Sequence, residues 1–215
     1  MNVRTLPAAL WMAALLLVAC LGAAAPAAAQ SAEESGTVLL VAAPNLVDAP
    51  YYHTVIIATA VDGNRHIGLI VNRPTRRSLA SLFPEHAPSK AVVEPVFFGG
   101  PMSRSAVFAL ARGSAASGTG SIPIMKDLNL AINVNVVDKV IEETPNEARY
   151  YVGNVIWRAG ELSQEIRRGV WNVLNADPGI VFSKDPEHLW DELSRMARGV
   201  MTDAREFTRS LPLLF

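Results

Sequence analysis

Apolar runs of strand length, rich in β-branched residues, recur along the chain and are separated by turn-forming residues. Two of them flank Asp62-Gly63-Asn64, which is typical of a hairpin because glycine tolerates the positive φ that such turns require. Gly99-Gly100-Pro101 indicates a further turn. The pattern predicts a curled antiparallel sheet with strands over residues 36–43, 53–61, 67–72, 92–98, 106–111, 149–152 and 179–182.

Apolar residues at helical spacing predict helices, most of them in the second half of the chain. Asn133 caps a predicted helix that continues until Pro145. The most regular pattern predicts a helix over residues 161–174, where every fourth residue is apolar: Leu162, Ile166, Val170 and Leu174. Two further helices are predicted over residues 78–83 and 186–199, and the small polar residues 113–121 predict a flexible surface loop.

The first 29 residues have the three-part layout of a secretory signal peptide. Arg4 is followed by an apolar run over residues 10–21, and then by small residues that end at Ala29. A membrane-spanning helix fits less well, because the leucines stop after residue 21 and give way to alanine, glycine and Pro26. We therefore predict export to the periplasm or cell envelope, with residues 1–29 as the signal peptide.

A second processing site competes with cleavage after Ala29. Leu17-Val18-Ala19-Cys20 resembles the lipobox of bacterial lipoproteins, in which the cysteine becomes a lipid-modified N-terminus. On that interpretation residues 1–19 are the signal and Cys20 is the lipidation site. A lipid anchor at Cys20 is the only membrane contact that we predict.

The rest of the 215-residue chain has the size and composition of one globular domain. We predict a linker over residues 30–35, a single α+β domain over residues 36–199 and a C-terminal tail over residues 200–215. The one cysteine cannot form an internal disulfide. Arg4 is the one charged residue among the first 29, so 18 of the 19 basic residues remain against 20 acidic ones, a net charge of −2. That balance argues against nucleic acid as a partner, because binding it requires clustered positive charge.

Motifs for nucleotide-phosphate loops, zinc hydrolases and serine nucleophile elbows do not occur in the sequence. The four histidines, at positions 53, 66, 86 and 188, show no metal-ligand spacing, although His53 and His66 flank one predicted hairpin and can approach each other across it. We therefore assign no catalytic residue, no metal and no cofactor.

Asn72-Arg73-Pro74 is the first candidate binding cluster. The proline forces Arg73 into an extended conformation, which fixes the direction of its side chain at the end of a strand. A guanidinium held in this way can bind a carboxylate or phosphate through two parallel hydrogen bonds. The alternative is structural, in which Arg73 pairs with a nearby acid or with strand-end carbonyls and supports the fold.

Trp157, Glu161 and Glu165 form the second candidate cluster. Trp157 offers a large apolar surface with one donor, and the two glutamates lie one turn apart on the same helical face. Paired carboxylates can divide acid and base duties when their pKa values differ. Equally, two glutamates in a first helical turn can serve only to stabilise the positive end of the helix dipole.

Four segments in this order resemble the YqgE/AlgH family: GTVLLVAAPNLVD at residues 36–48, HTVIIATAVDGNRHIGLIVNRP at 53–74, PVFFGGPM at 95–102 and VGNVIWRAGELSQEI at 152–166. The resemblance implies an α+β fold with a bifurcated, mostly antiparallel sheet curled into a pseudo-barrel with flanking helices. It implies no agreed catalytic residues, and some members are described as transcriptional regulators. The family usually has Gly-Tyr-Ala-Gly-Trp where this chain has Gly153-Asn154-Val155-Ile156-Trp157, so the surface around the tryptophan is altered.

Three functions are compatible with these observations. The first is an exported, non-enzymatic binding or envelope-assembly module that uses the Asn72-Arg73-Pro74 and Trp157 regions to bind an anionic ligand or an envelope protein. The second is a periplasmic enzyme that uses Glu161 and Glu165. The third is a transcriptional regulator, as described for the family, and it requires that the chain is not exported.

The N-terminus of the protein recovered from its native host tests export. We expect mass spectrometry to find a chain that begins either at unmodified Gln30 or at acylated Cys20, because both signals lead to removal of the apolar leader. An intact 215-residue chain in the cytosolic fraction would contradict export and favour the regulator.

Overall fold

The computed structural model of the protein describes residues 36–210, with side chains described for residues 36–199. The predicted signal peptide, Cys20, the linker over residues 30–35 and the last five residues of the tail lie outside this range. Within it, no helix is both long enough and apolar enough to span a bilayer.

The strands form one mostly antiparallel sheet that curls into a half-barrel with helices at its sides, which confirms the predicted single-domain α+β class. Eight strands lie in the order β6-β7-β5-β8-β3-β2-β1-β9, and the short β4 pairs with β8 in parallel. The strands are β1 (Thr37–Ala42), β2 (Val55–Val61), β3 (Arg65–Ile70), β4 (Phe97–Phe98), β5 (Met102–Arg112), β6 (Ser121–Met125), β7 (Leu128–Ala131), β8 (Ala148–Trp157) and β9 (Trp171–Asn175).

Five α-helices and one 3-10 helix flank the sheet within the described residues. The predicted cap at Asn133 is confirmed, because its side chain accepts a hydrogen bond from the Asn135 amide at 2.9 Å. The helices are α1 (Leu79–Leu82), the 3-10 helix (Ala87–Ala91), α2 (Val134–Glu143), α3 (Glu161–Arg167), α4 (Pro178–Val181) and α5 (Leu189–Ser210).

The helix predicted over residues 161–174 is wrong in its second half. Helix α3 ends at Arg167, and Gly169 then adopts a left-handed conformation with φ 73°. The chain turns there and returns as β9, in which Leu174 pairs with Leu39 of β1. Val170 and Leu174 are therefore apolar because they pack against the sheet core.

Other differences from the predicted elements also have local causes. Residues 179–182 are not a strand, because Asp177 caps α4 by accepting from the Gly179 amide at 2.5 Å. Residues 92–98 contain only the two-residue strand β4. Strands β6 and β7 were not predicted at all. The segment 113–121 is not simply a solvated loop, since Ala115 and Ala116 are buried in the core beneath α2.

Strand β8 belongs to both halves of the sheet. Its first half pairs with β5, and its last three residues pair with β3. Between them, Gly153 has φ 76° and passes so close to the Gly99-Gly100 turn that a Cβ on Gly153 would lie 2.2 Å from the Gly100 carbonyl oxygen. The Gly99 amide also donates to the Val152 carbonyl at 2.8 Å. Only a glycine allows the backbones to approach this closely.

Arg149, near the other end of β8, is buried and donates four hydrogen bonds. Its guanidinium donates to both carboxylate oxygens of Glu94, at 2.6 and 3.1 Å, and to the carbonyls of Val181 and Ser183, at 2.6 and 2.7 Å. It also lies 4.8 Å from the ring centroid of Phe97. These bonds fix the segment that contains α4 against the sheet.

We expect Gly153→Ala to lower the free energy of unfolding by about 3–5 kcal/mol, because it combines left-handed strain with a clash against fixed backbone. Gly113→Ala is the matched control: its φ is 74°, yet an added Cβ meets nothing within 4 Å. That change should cost only about 1–2 kcal/mol. Urea denaturation of both variants measures the difference, and equal losses would show that the close backbone contact is unimportant.

Candidate functional site

Asn72 and Arg73 both bond to the backbone of the segment that leads into β2. The Asn72 side chain accepts from the Val55 amide at 2.8 Å and donates to the His53 carbonyl at 3.0 Å. The Arg73 guanidinium donates to the Tyr52 carbonyl, and Pro74 forms an isolated bridge with Phe97. Partial burial lowers the pKa of Arg73 from its usual value. An anionic ligand at Arg73 stays a prediction, while the contacts seen are those of a residue that supports the fold.

The same segment carries a stack of three aromatic rings. His53 lies between Tyr52 and Trp190, with ring centroids 3.7 and 3.6 Å away. Trp190 belongs to α5, and its indole nitrogen donates to the Ala42 carbonyl at 2.9 Å. His53 is thus tied to α5. It does not approach His66, which lies opposite Ala60 near the far end of the hairpin.

Glu165 accepts hydrogen bonds from two buried tryptophans. The indole nitrogens of Trp157 and Trp171 donate to its Oε2 atom at 2.8 and 2.7 Å. Trp157 ends β8, Trp171 begins β9, and only 3% and 4% of their surfaces are exposed. One carboxylate oxygen therefore joins α3 to two strands that are far apart in the sheet order.

Glu161 has a different role from Glu165, although the two lie one turn apart. Its Oε2 atom accepts from the Arg158 amide at 2.8 Å and so closes the turn that begins α3. The preceding Gly160 has φ 76°, a conformation that glycine adopts without strain. Glu161 is exposed, whereas Glu165 is partly buried. The two glutamates are not a matched catalytic pair.

These residues line a pocket of about 270 Å³. One wall is the loop that carries Asp48 and Tyr51, and the other is formed by the end of β8 with α3 and β9. Three aromatic side chains lie in it, and Tyr51 and Trp171 make an edge-on contact with centroids 5.9 Å apart. The lining residues are Leu46, Asp48, Tyr51, Val155, Ile156, Trp157, Glu161, Glu165, Arg168, Val170 and Trp171.

The electrostatic character of the pocket is seen at Tyr51. The pKa of its hydroxyl is raised, mainly by burial and further by the negative charges of Glu165, Asp48 and Glu161. The charges that act on the Tyr51 hydroxyl are therefore those of acidic residues. Within residues 36–199, no group of three His, Cys, Asp or Glu side chains is arranged to hold a metal ion.

The structure brings the two predicted clusters to one loop, residues 48–53. Tyr51 lines the pocket with Trp157, Glu161 and Glu165, whereas Tyr52 and His53 bond to Arg73 and Asn72. Asp48, Tyr51 and Trp171 also line the pocket and are not among the predicted site residues. Trp171 had been placed in a helix, and the antiparallel pairing of β9 with β1 that positions it has no local signal in the sequence.

Comparison with known proteins decides the family. The model of a family described as AlgH-like matches residues 39–202. The chain belongs to the AlgH-like family. This confirms the resemblance drawn from the four sequence segments.

Relatives of this chain match it over most of their own length. A UPF0301 protein of Caulobacter vibrioides is 30% identical over 158 residues, which cover 71% of this chain and 81% of the relative. A UPF0301 protein of Burkholderia lata is 32% identical over 159 residues, with 71% and 82% covered. Neither name states a reaction or a ligand.

Two solved structures share the fold. The solution structure of the AlgH protein from Pseudomonas aeruginosa superposes with a TM-score of 0.61 at 25% identity, covering 76% of this chain and 87% of that one. A crystal structure of a protein from Corynebacterium diphtheriae gives a TM-score of 0.61 at 21% identity, with 75% and 86% covered. The chain therefore shares its fold with the AlgH protein of Pseudomonas aeruginosa.

We expect Glu165→Ala to lower the free energy of unfolding by about 2–4 kcal/mol, because it leaves two buried indole donors unpaired. Glu161→Ala, which removes one exposed turn contact, should cost only about 1 kcal/mol. Urea denaturation followed by tryptophan fluorescence measures both. Similar small losses in the two variants would show that Glu165 does not hold the pocket together.

Proposed function

We propose that this AlgH-like protein is an exported, non-enzymatic binding module of the cell envelope, and that the pocket beside Trp157 is its binding site. The main support for the proposal is that the two glutamates of the pocket make hydrogen bonds that hold parts of the protein together. Glu165 accepts from the indoles of Trp157 and Trp171 and so joins the end of β8 to the start of β9, and Glu161 closes a turn. Both carboxylates therefore serve the shape of the site rather than proton transfer.

The residues that line the pocket support binding over catalysis. They include no serine, threonine, cysteine or histidine, the side chains that most often act as nucleophile or general base. They do include three aromatic side chains and exposed Ile156, which suit the recognition of a partner. The enzyme hypothesis needs Glu161 and Glu165 to act as acid and base, and both already accept hydrogen bonds from within the protein.

A second depression, of about 310 Å³, lies between α4 and α5. It is lined by Leu189, Leu193 and Met196 together with Asp177 and Glu192, among others. Among the described residues, no hydrogen bond between side chains joins the walls of this depression. In the pocket beside Trp157, by contrast, Glu165 accepts from two tryptophan side chains. The pocket beside Trp157 is thus the better candidate.

Export is supported by the sequence features of residues 1–29 and of Cys20 described above. An exported protein does not meet DNA, so the proposal disfavours the regulator. An envelope protein is the partner that we propose for the surface around Ile156. An anionic ligand is the corresponding proposal for the Asn72-Arg73-Pro74 end.

Site-specific photocrosslinking tests the binding surface in intact cells. We expect a p-benzoylphenylalanine in place of Ile156, which lines the pocket and is 44% exposed, to give one discrete crosslinked product in the envelope fraction. The same substitution at Val134, 67% exposed on α2, is the matched control and should give none. The Ile156 product should disappear when Glu165→Ala is added. Equal crosslinking at both positions, or none at either, would contradict the proposed site.

A further inference from the structure

We propose that the pocket beside Trp157 takes a primary ammonium group on a short aliphatic stem. This inference rests on the proposed binding function and adds the chemical class of the ligand. The ammonium would lie at the acidic rim, and the stem would lie against the aromatic and aliphatic wall.

The charge of the lining favours a cation. The lining includes three carboxylates, of Asp48, Glu161 and Glu165, and one guanidinium, of Arg168, which gives the pocket a net charge of −2. Such a site attracts a cation and repels an anion. This charge also distinguishes the pocket from the Arg73 end, where the candidate ligand is an anion.

The hydrogen-bonding capacity of the two glutamates favours a compact cation over a guanidinium. Each glutamate uses its Oε2 atom within the protein, and no hydrogen bond from the described residues reaches either Oε1 atom. A guanidinium binds best to both oxygens of one carboxylate at once. An ammonium has three donors that can point to single oxygens of different carboxylates, which is what this rim offers.

The apolar part of the lining accounts for the stem. Leu46, Val155 and Val170 lie in the pocket together with the rings of Tyr51, Trp157 and Trp171. Aromatic rings attract cations, and aliphatic side chains favour the burial of methylene groups. At about 270 Å³ the pocket lies below the usual range for a drug-sized ligand, so the stem is short.

An NMR titration of the purified mature protein tests this class directly. The indole N–H signals of Trp157 and Trp171 report on the pocket, because both donate to Glu165. We expect n-butylammonium chloride to shift both signals saturably at constant ionic strength. Neutral n-butanol and anionic butyrate, which have stems of similar length, should bind at least about tenfold more weakly.

Two charge variants have opposite expected effects in the same titration, and a third serves as a control. Glu161→Gln should weaken the binding of n-butylammonium by about threefold to tenfold, and Arg168→Gln should strengthen it by a similar factor. Glu142→Gln, on the exposed surface of α2, is the matched control and should change nothing. Circular dichroism and a urea midpoint for each variant confirm that the fold is intact.

A further titration distinguishes a lysine side chain of a partner protein from a free small amine. Nα-acetyl-lysine amide presents the ammonium as a protein side chain does. Tighter binding of this compound than of n-butylammonium would assign the site to a lysine of a partner protein, and tighter binding of n-butylammonium would assign it to a free small amine.

Several results would overturn the inference. The inference would be wrong if butyrate bound more tightly than n-butylammonium, or if n-butanol bound as tightly. It would also be wrong if neither amine gave a saturable shift. If crosslinking at Ile156 succeeds in any of these cases, the binding function stands and only the ligand class is wrong. If crosslinking fails and the amines still bind, the pocket is a small-amine site and the envelope-partner proposal falls.

Discussion

The backbone contact between Gly153 and Gly100 is the constraint on which the rest of the molecule depends. It allows one strand, β8, to leave β5 and continue beside β3, so that two groups of strands become one curled sheet. A side chain at Gly153 would push these backbones apart. Trp157 lies four residues beyond this contact, at the end of the same strand. The contact therefore determines where this wall of the pocket lies.

Glu165 shows how a residue that suggests catalysis can instead determine architecture. Its single Oε2 atom accepts from two indoles whose strands belong to different parts of the sheet. Paired buried donors of this kind are costly to leave unsatisfied, so the carboxylate is held where it is. These two hydrogen bonds hold the end of β8, α3 and the start of β9 together beside the pocket.

The sequence was sufficient for elements whose signals are local. The Asp62-Gly63-Asn64 hairpin, the Asn133 cap and the start of α3 at Glu161 all follow from neighbouring residues. The sequence was misleading at residues 168–175. An apolar residue at every fourth position suggested one helix, but α3 ends before Gly169 and β9 begins after it. The sequence also placed Trp157 and Glu165 in one cluster but could not bring Trp171 to them, because that proximity depends on the pairing of β9 with β1.

Some residues of the pocket also hold the fold together and others do not, which limits how such a site can evolve. Trp157, Trp171 and Glu165 contribute to stability and to the shape of the cavity together, so a change in any of them alters both properties at once. Asp48, Glu161 and Arg168 are exposed, so we expect a change in their charge to cost little stability. A descendant of this chain can therefore change its specificity with little loss of stability only through Asp48, Glu161 and Arg168. Trp157, Trp171 and Glu165 would have to stay as they are.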